Sequence, residues 1–176
     1  TPRQMMLYRA LGAPLPKFAH VPMILAPDRS KLSKRHGAQT VEEFRDKGYL
    51  PEAIVNYIAL LGWTPPDATQ EFMTLEEMIE LFDLSRVSST AAVYDVQKLT
   101  WMNGQYIKRL DPEDLMERVI PFVEAAGLAT RQELEARKDW FRQAVITMQE
   151  RAKTLEELAH YMAFYFKPPE TYDEKG

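Results

Sequence analysis

The spacing of apolar residues along the chain predicts a protein built mainly from α-helices. The segment PEAIVNYIALLG, residues 51–62, repeats apolar side chains at intervals of three and four residues, which places them on one helix face. That face comprises Ile54, Tyr57, Ile58 and Leu61. The segments DPEDLMERVIPFVEAAGL and RQELEARKDWFRQAVITMQERAKTLEELAHYMAFYF, in the final third, show the same spacing. They indicate the core of a helical bundle.

Helix-start signals agree with this spacing. In a Thr-x-x-Glu sequence, the Thr hydroxyl and the Glu carboxylate can accept hydrogen bonds from backbone amides of a helix's first turn. Such sequences start at Thr40, Thr74, Thr130 and Thr154. The dipeptide Asp111-Pro112 marks a further start, because Pro fits the first helical position. Pro121, inside the next apolar run, predicts a kinked helix.

Strand-like sequence is scarce. The best candidate is FAHVPMIL, residues 18–25, and Pro22 would confine it to an edge or an end of a sheet. The predicted fold class is therefore mostly α, with a small β element near the amino terminus.

Composition excludes several classes of site. The 176 residues include no Cys, which excludes disulfides and Cys-ligated zinc, and the three His residues lack metal-ligand spacing, so we predict no metal site. No apolar run approaches the roughly 18 residues needed to cross a bilayer, and we predict a cytoplasmic protein without membrane contact. Because the chain lacks an initial Met and stops in the polar sequence KPPETYDEKG, we expect a piece of a longer protein. We also expect that protein to be a monomer.

Positive charge is concentrated near the amino terminus. The first 50 residues carry nine Lys or Arg against four Asp or Glu, a net charge of +5, whereas the remainder carries −9. The sequence SKLSKRHGA, residues 30–38 and here called the basic loop, holds the densest cluster. Its lysines and the hydroxyls of Ser30 and Ser33 suit phosphate oxygens. Since the chain has no glycine-rich phosphate cradle, such a loop must act on a ligand held by another part of the protein.

The basic loop also carries a resemblance to a known family. KLSKR, residues 31–35, resembles the Lys-Met-Ser-Lys-Ser motif of class I aminoacyl-tRNA synthetases, with Leu32 in place of Met and Arg35 in place of the last Ser. LGAPLPKFAHVPMILAPDRSKLSKRHGA, GYLPEAIVNYIALLGW and VSSTAAVYDVQKLTWMNGQYI resemble the bacterial glutamyl-tRNA synthetases. The resemblance is strong from residue 1 to about residue 110 and looser beyond.

The resemblance implies an ATP-dependent ligase that joins glutamate to tRNA. Glutamate would attack the α-phosphate of ATP, with Mg²⁺, to form an acyl-adenylate, and the terminal ribose of tRNA would then take the acyl group. By its match to the motif's second lysine, Lys34 would be the catalytic residue that stabilises the departing pyrophosphate. The implied ATP-binding residues are Lys31, Leu32, Ser33, Lys34 and Arg35, and those that could meet tRNA phosphate are Arg35 and His36.

The resemblance also implies a division of the chain. Residues 1–38 would form the closing edge of a class I catalytic domain, residues 39–110 helices that contact the tRNA stem, and residues 111–176 part of a helical anticodon-binding domain. Nothing in the chain resembles the family's His-Ile-Gly-His motif or its glutamate pocket, so these residues alone are expected to be inactive.

Other interpretations remain. The longer protein could be a glutaminyl-type synthetase or a non-catalytic helical RNA-binding module. Alternatively, the chain could be a helical scaffold whose basic loop has no role in its function. Trp63 and Trp101 could stack on RNA bases, although we predict that both are buried in the core.

Overall fold

The computed structural model describes residues 1–33 and 40–168, and within them it shows short helices joined by tight turns. The α-helices are α1 (Pro2–Ala10), α2 (Val41–Asp46), α3 (Pro51–Leu60), α4 (Leu75–Leu81), α5 (Val96–Arg109), α6 (Pro112–Ala125), α7 (Arg131–Ala136), α8 (Lys138–Gln149), α9 (Leu155–Tyr161) and α10 (Ala163–Phe166). The predicted mostly α class is confirmed. None of the helices in this described part is both long and apolar enough to cross a membrane.

Two short parallel strands form the β element of the described residues. Strand β1 (Ile24–Leu25) pairs with β2 (Ala92–Val93), in the register Ile24 to Ala92 and Leu25 to Val93. The strand predicted over residues 18–25 therefore forms only at its last two residues. Pro22, just before it, lacks an amide hydrogen for the ladder, and its Cγ would lie 2.6 Å from a Cβ added at Gly62.

All the predicted helix starts are present, but the hydrogen bonds that cap α9 differ from the predicted capping box. Complete capping boxes open α2, α4 and α7. At α9 the Thr154 hydroxyl accepts from the Glu157 amide, but the Glu157 carboxylate accepts from the amide of Lys153 at 2.9 Å. The helix α6 continues through Pro121 to Ala125, so this proline does not end it.

Three groups of buried side chains form the core. The largest joins α5 through α9 with the start of α3, where Leu50 and Ala53 lie. A second group lies between α2, α3 and α5 and comprises Phe44, Ile54, Tyr57, Leu99 and Met102. The third surrounds Trp63, Met73 and Met78.

A buried amide joins the amino-terminal helices to the carboxy-terminal bundle. The side chain of Asn103, on α5, accepts a hydrogen bond from the Leu50 amide at 2.8 Å and donates one to the Lys153 carbonyl at 2.6 Å. Because both partners are backbone groups from distant segments, this residue fixes where α3 starts relative to α9.

The two tryptophans differ in environment. Trp63 is buried, as predicted, but the prediction for Trp101 is wrong, because 43% of its surface is exposed. On α5 the buried positions are taken by Leu99 and Met102, so Trp101 lies on the outer side and packs against Phe72 at a ring distance of 5.5 Å.

Candidate functional site

The first residues of the basic loop form the second arm of a tight hairpin. The carbonyl of Ala26 accepts from the Arg29 amide at 2.8 Å, and the Ala26 amide donates to the Ser30 carbonyl at 2.8 Å. Lys31 then bridges to Leu25 in antiparallel fashion. This is a three-residue connection of Pro27, Asp28 and Arg29, in which Arg29 has a φ of +63°. The hairpin therefore fixes the backbone up to Lys31, the first of the predicted ATP-binding residues.

Asp28 and Ser30 stabilise the hairpin turn. The Asp28 carboxylate accepts from the Ser30 amide at 2.9 Å and from the Ser30 hydroxyl at 2.7 Å. Asp and Ser commonly make such local bonds in turns. The hydroxyl proton of Ser30, which the sequence suggested for phosphate, is directed at the turn in this structure.

The hairpin is attached to the helical region through β2. The Ala92 amide donates to the Met23 carbonyl at 3.0 Å, and the Tyr94 amide donates to the Leu25 carbonyl at 2.8 Å. The next residue, Asp95, caps α5 by accepting from the amides of Gln97 and Lys98 at 2.8 and 3.1 Å. A continuous set of backbone bonds therefore connects the hairpin to the start of α5.

A buried tyrosine supports that connection from α3. The hydroxyl oxygen of Tyr57 accepts from the Asp95 amide at 2.7 Å, and the rings of Tyr57 and Tyr94 meet edge to face at 5.9 Å. Burial raises the pKa of Tyr57 to about 12, so this phenol stays neutral at physiological pH. Its hydroxyl holds the backbone in place just before α5.

An apolar cavity lies beneath the hairpin. It has a volume of about 210 Å³ and is here called the Leu32 cavity. It is lined by Ile24, Leu32, Val41, Phe44, Ile54, Tyr57, Ile58, Leu61, Tyr94 and Leu99. All four residues of the apolar face predicted for α3 are among them, so this face borders the Leu32 cavity as well as the core.

The predicted site residues fall into two groups. Lys31, Leu32 and Ser33 are described: Lys31 and Ser33 are exposed, whereas Leu32 is half-buried and lines the Leu32 cavity. Successive side chains on an extended segment point to opposite sides, which explains this alternation. The predicted residues Lys34, Arg35 and His36 lie outside the described residues, so their assigned roles remain predictions.

Ion pairs are more frequent among the described basic residues beyond residue 50 than among those before it. In the helical part, acidic partners lie beside Lys98, Lys108, Arg118, Arg131, Lys138 and Arg142. Among the described part of the first 50 residues, the ion pair found is Arg45 with Asp46 at 3.0 Å. Lys31 and Arg29 are exposed and form no ion pair with any described residue. Their charge is therefore not neutralised by any residue in the part of the chain that the structure describes.

The described donors fit an anionic ligand. Lys31 and the exposed hydroxyl of Ser33 provide a cation and a polar group of the kind that binds phosphate. Across residues 1–33 and 40–168 no group of three His, Cys, Asp or Glu side chains is placed to hold a metal ion.

Several supporting residues were not found from the sequence. Tyr94 and Asp95 lie within the segment VSSTAAVYDVQKLTWMNGQYI that resembles the synthetase family, but nothing in the sequence marks them as supports of the hairpin. The pairing of β1 with β2 is also not predicted from the sequence. The pair joins residues 68 positions apart, Ile24 with Ala92, and each strand contains only two residues. Two residues are too short for an alternating pattern, so the sequence carried no periodic signal for this contact.

Comparison with known proteins gives two family matches. Residues 1–101 match the family of class I tRNA synthetases (E and Q), catalytic domain. Residues 114–176 match an anticodon binding domain.

Individual relatives agree along the whole chain. The chain is 53% identical over 176 residues to glutamate–tRNA ligase 1 of Caldanaerobacter subterraneus subsp. tengcongensis, and 50% identical over 176 residues to glutamate–tRNA ligase of Moorella thermoacetica. Each alignment covers 100% of this chain and 36% of the relative. The crystal structure of a glutamate–tRNA synthetase from Elizabethkingia anophelis is similar with a TM-score of 0.80 and 31% identity, covering 97% of this chain and 37% of that one. The chain thus spans about a third of the length of these relatives.

Proposed function

The chain belongs to the class I tRNA synthetases for glutamate and glutamine, and from this premise we propose that it is the segment of a glutamate–tRNA ligase that carries the ATP-phosphate loop. The parent enzyme activates glutamate with ATP and transfers it to tRNA. The observation that carries the proposal is the hairpin, which holds the exposed cation of Lys31, without an ion-pair partner among the described residues, at the start of the basic loop. The relatives are glutamate–tRNA ligases and are similar along the whole chain, which favours glutamate over glutamine as the substrate.

The proposed chemistry is electrostatic. As the glutamate carboxylate attacks the α-phosphate, negative charge builds on the pyrophosphate that leaves. An ammonium group at that position stabilises the transition state more than it stabilises bound ATP. It therefore raises the rate of activation and not only the affinity for ATP. We assign this role to Lys34 and assign Lys31, Ser33 and Arg35 to the same phosphates. Magnesium, when bound with ATP, adds positive charge at the phosphate oxygens.

The proposed division of labour follows the chain. Residues 1–38 complete the catalytic domain, residues 39–110 contact the tRNA stem, and residues 111–176 belong to the anticodon-binding helices. The tRNA partner is supported by the match of residues 114–176 to an anticodon binding domain. Arg35 and His36 are proposed to reach tRNA phosphate beside the active site.

The activity can be tested by ATP–pyrophosphate exchange. We expect the full-length protein to catalyse exchange that depends on glutamate and to charge tRNA with glutamate. The 176-residue chain alone should show no exchange, because the proposal places the glutamate pocket outside it. Exchange by the chain alone would contradict this division. A requirement for glutamine in place of glutamate would instead identify a glutaminyl-type enzyme.

Binding of tRNA by the chain alone should be weak and sensitive to salt. Each phosphate contact made by Lys or Arg releases condensed counterions, so two or more contacts should weaken binding about tenfold between about 50 and 200 mM salt. A filter-binding or anisotropy titration at both salt concentrations measures this change. Equal affinity at the two concentrations would argue against phosphate contacts in this segment.

A further inference from the structure

A cavity of about 740 Å³ opens on the carboxy-terminal bundle, where residues at the end of α8, on α9 and on α10 line it. Its lining includes Arg151, His160, Tyr161, Phe164 and Lys167, and it is here called the bundle cavity. Among the described residues, no Asp or Glu lines it. The bundle cavity therefore combines basic side chains with aromatic rings.

The positive charge of the bundle cavity contrasts with the acidic bundle around it. Residues 111–168 carry eight Lys or Arg against eleven Asp or Glu. Four of these cations form ion pairs: Arg118, Arg131, Lys138 and Arg142. Arg151 and Lys167 are exposed and form no ion pair with any described residue, and Glu150 pairs with Lys108 at 3.1 Å. The described acids therefore leave the charge of this cavity unneutralised.

Backbone hydrogen bonds hold both cations at the bundle cavity. The ammonium group of Lys167 donates to the Gly127 carbonyl at 2.9 Å, and because an ammonium group has three donors, two remain for an anion. The amide of Arg151 donates to the Met148 carbonyl at 3.0 Å, which fixes the backbone from which its side chain extends. The two cations thus belong to defined positions of the bundle.

A neighbouring cavity shows the opposite charge. It has a volume of about 450 Å³, shares His160 and Ala163 with the bundle cavity, and is lined by Asp46 and Glu156. Neither of these acids lines the bundle cavity. An anion is therefore favoured at the bundle cavity over its neighbour.

Phe164 gives the bundle cavity an exposed aromatic surface. Its side chain is 55% exposed, and its ring lies 4.2 Å from the ring of Tyr165 at an interplanar angle of 36°. Tyr165 in turn meets Trp140 edge to face at 6.4 Å, and both pack against the main core group. A supported, exposed ring beside cations is typical of surfaces on which nucleobases stack.

We propose that the bundle cavity binds an unpaired nucleotide of RNA, with the base stacked on Phe164 and the phosphates beside Arg151 and Lys167. An unpaired nucleotide offers both features that the cavity matches, an anionic phosphate and a base with a free face, whereas a base within a duplex is already stacked. The inference deepens the proposed function, because it takes tRNA as the RNA and assigns its contact with residues 111–176 to one surface.

The first test separates stacking from apolar contact. The probe is a labelled RNA stem-loop with the anticodon loop of glutamate tRNA, and fluorescence anisotropy measures its binding to the full-length protein. We expect Phe164→Ala and Phe164→Leu to weaken binding about tenfold, since stacking of one base contributes about that factor. Phe164→Tyr keeps a ring and should bind within about twofold of the original. Unchanged binding by Phe164→Leu would overturn the inference.

A duplex of the same stem strands, without the loop, tests whether the nucleotide must be unpaired. It should bind more weakly than the stem-loop, and Phe164→Ala should not change its affinity, because a paired base offers no free face to the ring. An equal loss of affinity for the duplex and the stem-loop would overturn the inference.

The second test concerns the phosphate contact. Arg151→Gln should weaken binding of the stem-loop and reduce the slope of log affinity against log salt by about 0.7, because one contact to a single strand is lost. The matched control is Arg142→Gln, which removes the same charge from the same bundle. Since Arg142 is paired with Glu113 at 3.0 Å, this variant should keep the original affinity and slope. Equal effects of the two variants would show a response to net charge alone and overturn the inference.

Urea denaturation of the same variants tests for a structural role. Phe164 and Arg151 are exposed, so their replacement should change the free energy of unfolding little. If Phe164→Ala lowers the free energy of unfolding and leaves RNA binding unchanged, the ring packs against another part of the protein and the inference fails.

Failure of the inference and failure of the proposed function give different results. If the full-length protein charges tRNA with glutamate but Phe164→Ala and Arg151→Gln bind the stem-loop normally, the ligase function stands and this site is removed. If the two variants bind the stem-loop weakly but the original protein charges no tRNA, the site stands and the ligase function is removed.

Discussion

Replacing Lys34 by alanine in the proposed full-length ligase should lower glutamate-dependent ATP–pyrophosphate exchange about a hundredfold or more, since a group that stabilises transition-state charge contributes about that factor. The reason is that the ammonium group is proposed to meet charge that appears only as pyrophosphate departs. Affinity for tRNA should change little, because one phosphate contact among many contributes little to binding. Exchange kinetics and a tRNA binding titration on the same preparation measure both quantities.

Two variants serve as controls for this prediction. Lys34→Arg keeps the charge but replaces a compact ammonium with a planar group, so we expect a partial loss of about tenfold. Lys138→Ala removes a lysine of α8 whose partner is Glu113 at 2.8 Å, in an exposed ion pair that contributes little to stability. That variant should exchange at the original rate. Unchanged exchange in Lys34→Ala would refute the catalytic assignment, and equal losses in exchange and tRNA affinity would favour an RNA-binding module.

Much of the helical fold could be predicted because its signals are local. A Thr and a Glu three residues apart specify a helix start without reference to the rest of the chain, and the structure has a helix at each such start. The apolar face of α3 was predicted from periodicity alone. The contribution of this face to the Leu32 cavity could not be predicted, because nothing in the segment indicates that Ile58 and Leu61 line a cavity shared with the hairpin.

The contacts that could not be predicted depend on distant segments. Trp101 was expected in the core because it is large and apolar, but the buried face of α5 is set by packing against α3 and α6 through α9. For the candidate site, the resemblance proposed the residues Lys31 to His36, and the structure added the hairpin, β2 and the Leu32 cavity. These supports consist of backbone pairs and apolar contacts, which leave no short sequence motif.

Gly48 illustrates a position whose conformation the sequence suggests but whose importance depends on packing. A glycine just after a helix often adopts a positive φ, and Gly48 follows α2 with a φ of +77°. Its amide donates to the Arg45 carbonyl at 2.9 Å, and its own carbonyl accepts from the Leu155 amide at 3.0 Å. The residue therefore ends α2 and contacts the start of α9 at the same point.

Gly48→Ala should lower the free energy of unfolding of the 176-residue chain by about 3 kcal/mol or more. An added Cβ would meet the Leu155 amide nitrogen at 2.6 Å and the Glu156 nitrogen at 2.8 Å, and these are backbone atoms that cannot rotate away. The control is Gly127→Ala, where φ is +62° and a Cβ meets nothing within 4 Å, so only the conformational cost of about 1 kcal/mol applies. Urea denaturation followed by circular dichroism compares the two. Equal losses would show that α2 and α9 can separate at little cost, whereas a larger loss at Gly48 would show that the close contact between Gly48 and the start of α9 contributes to stability.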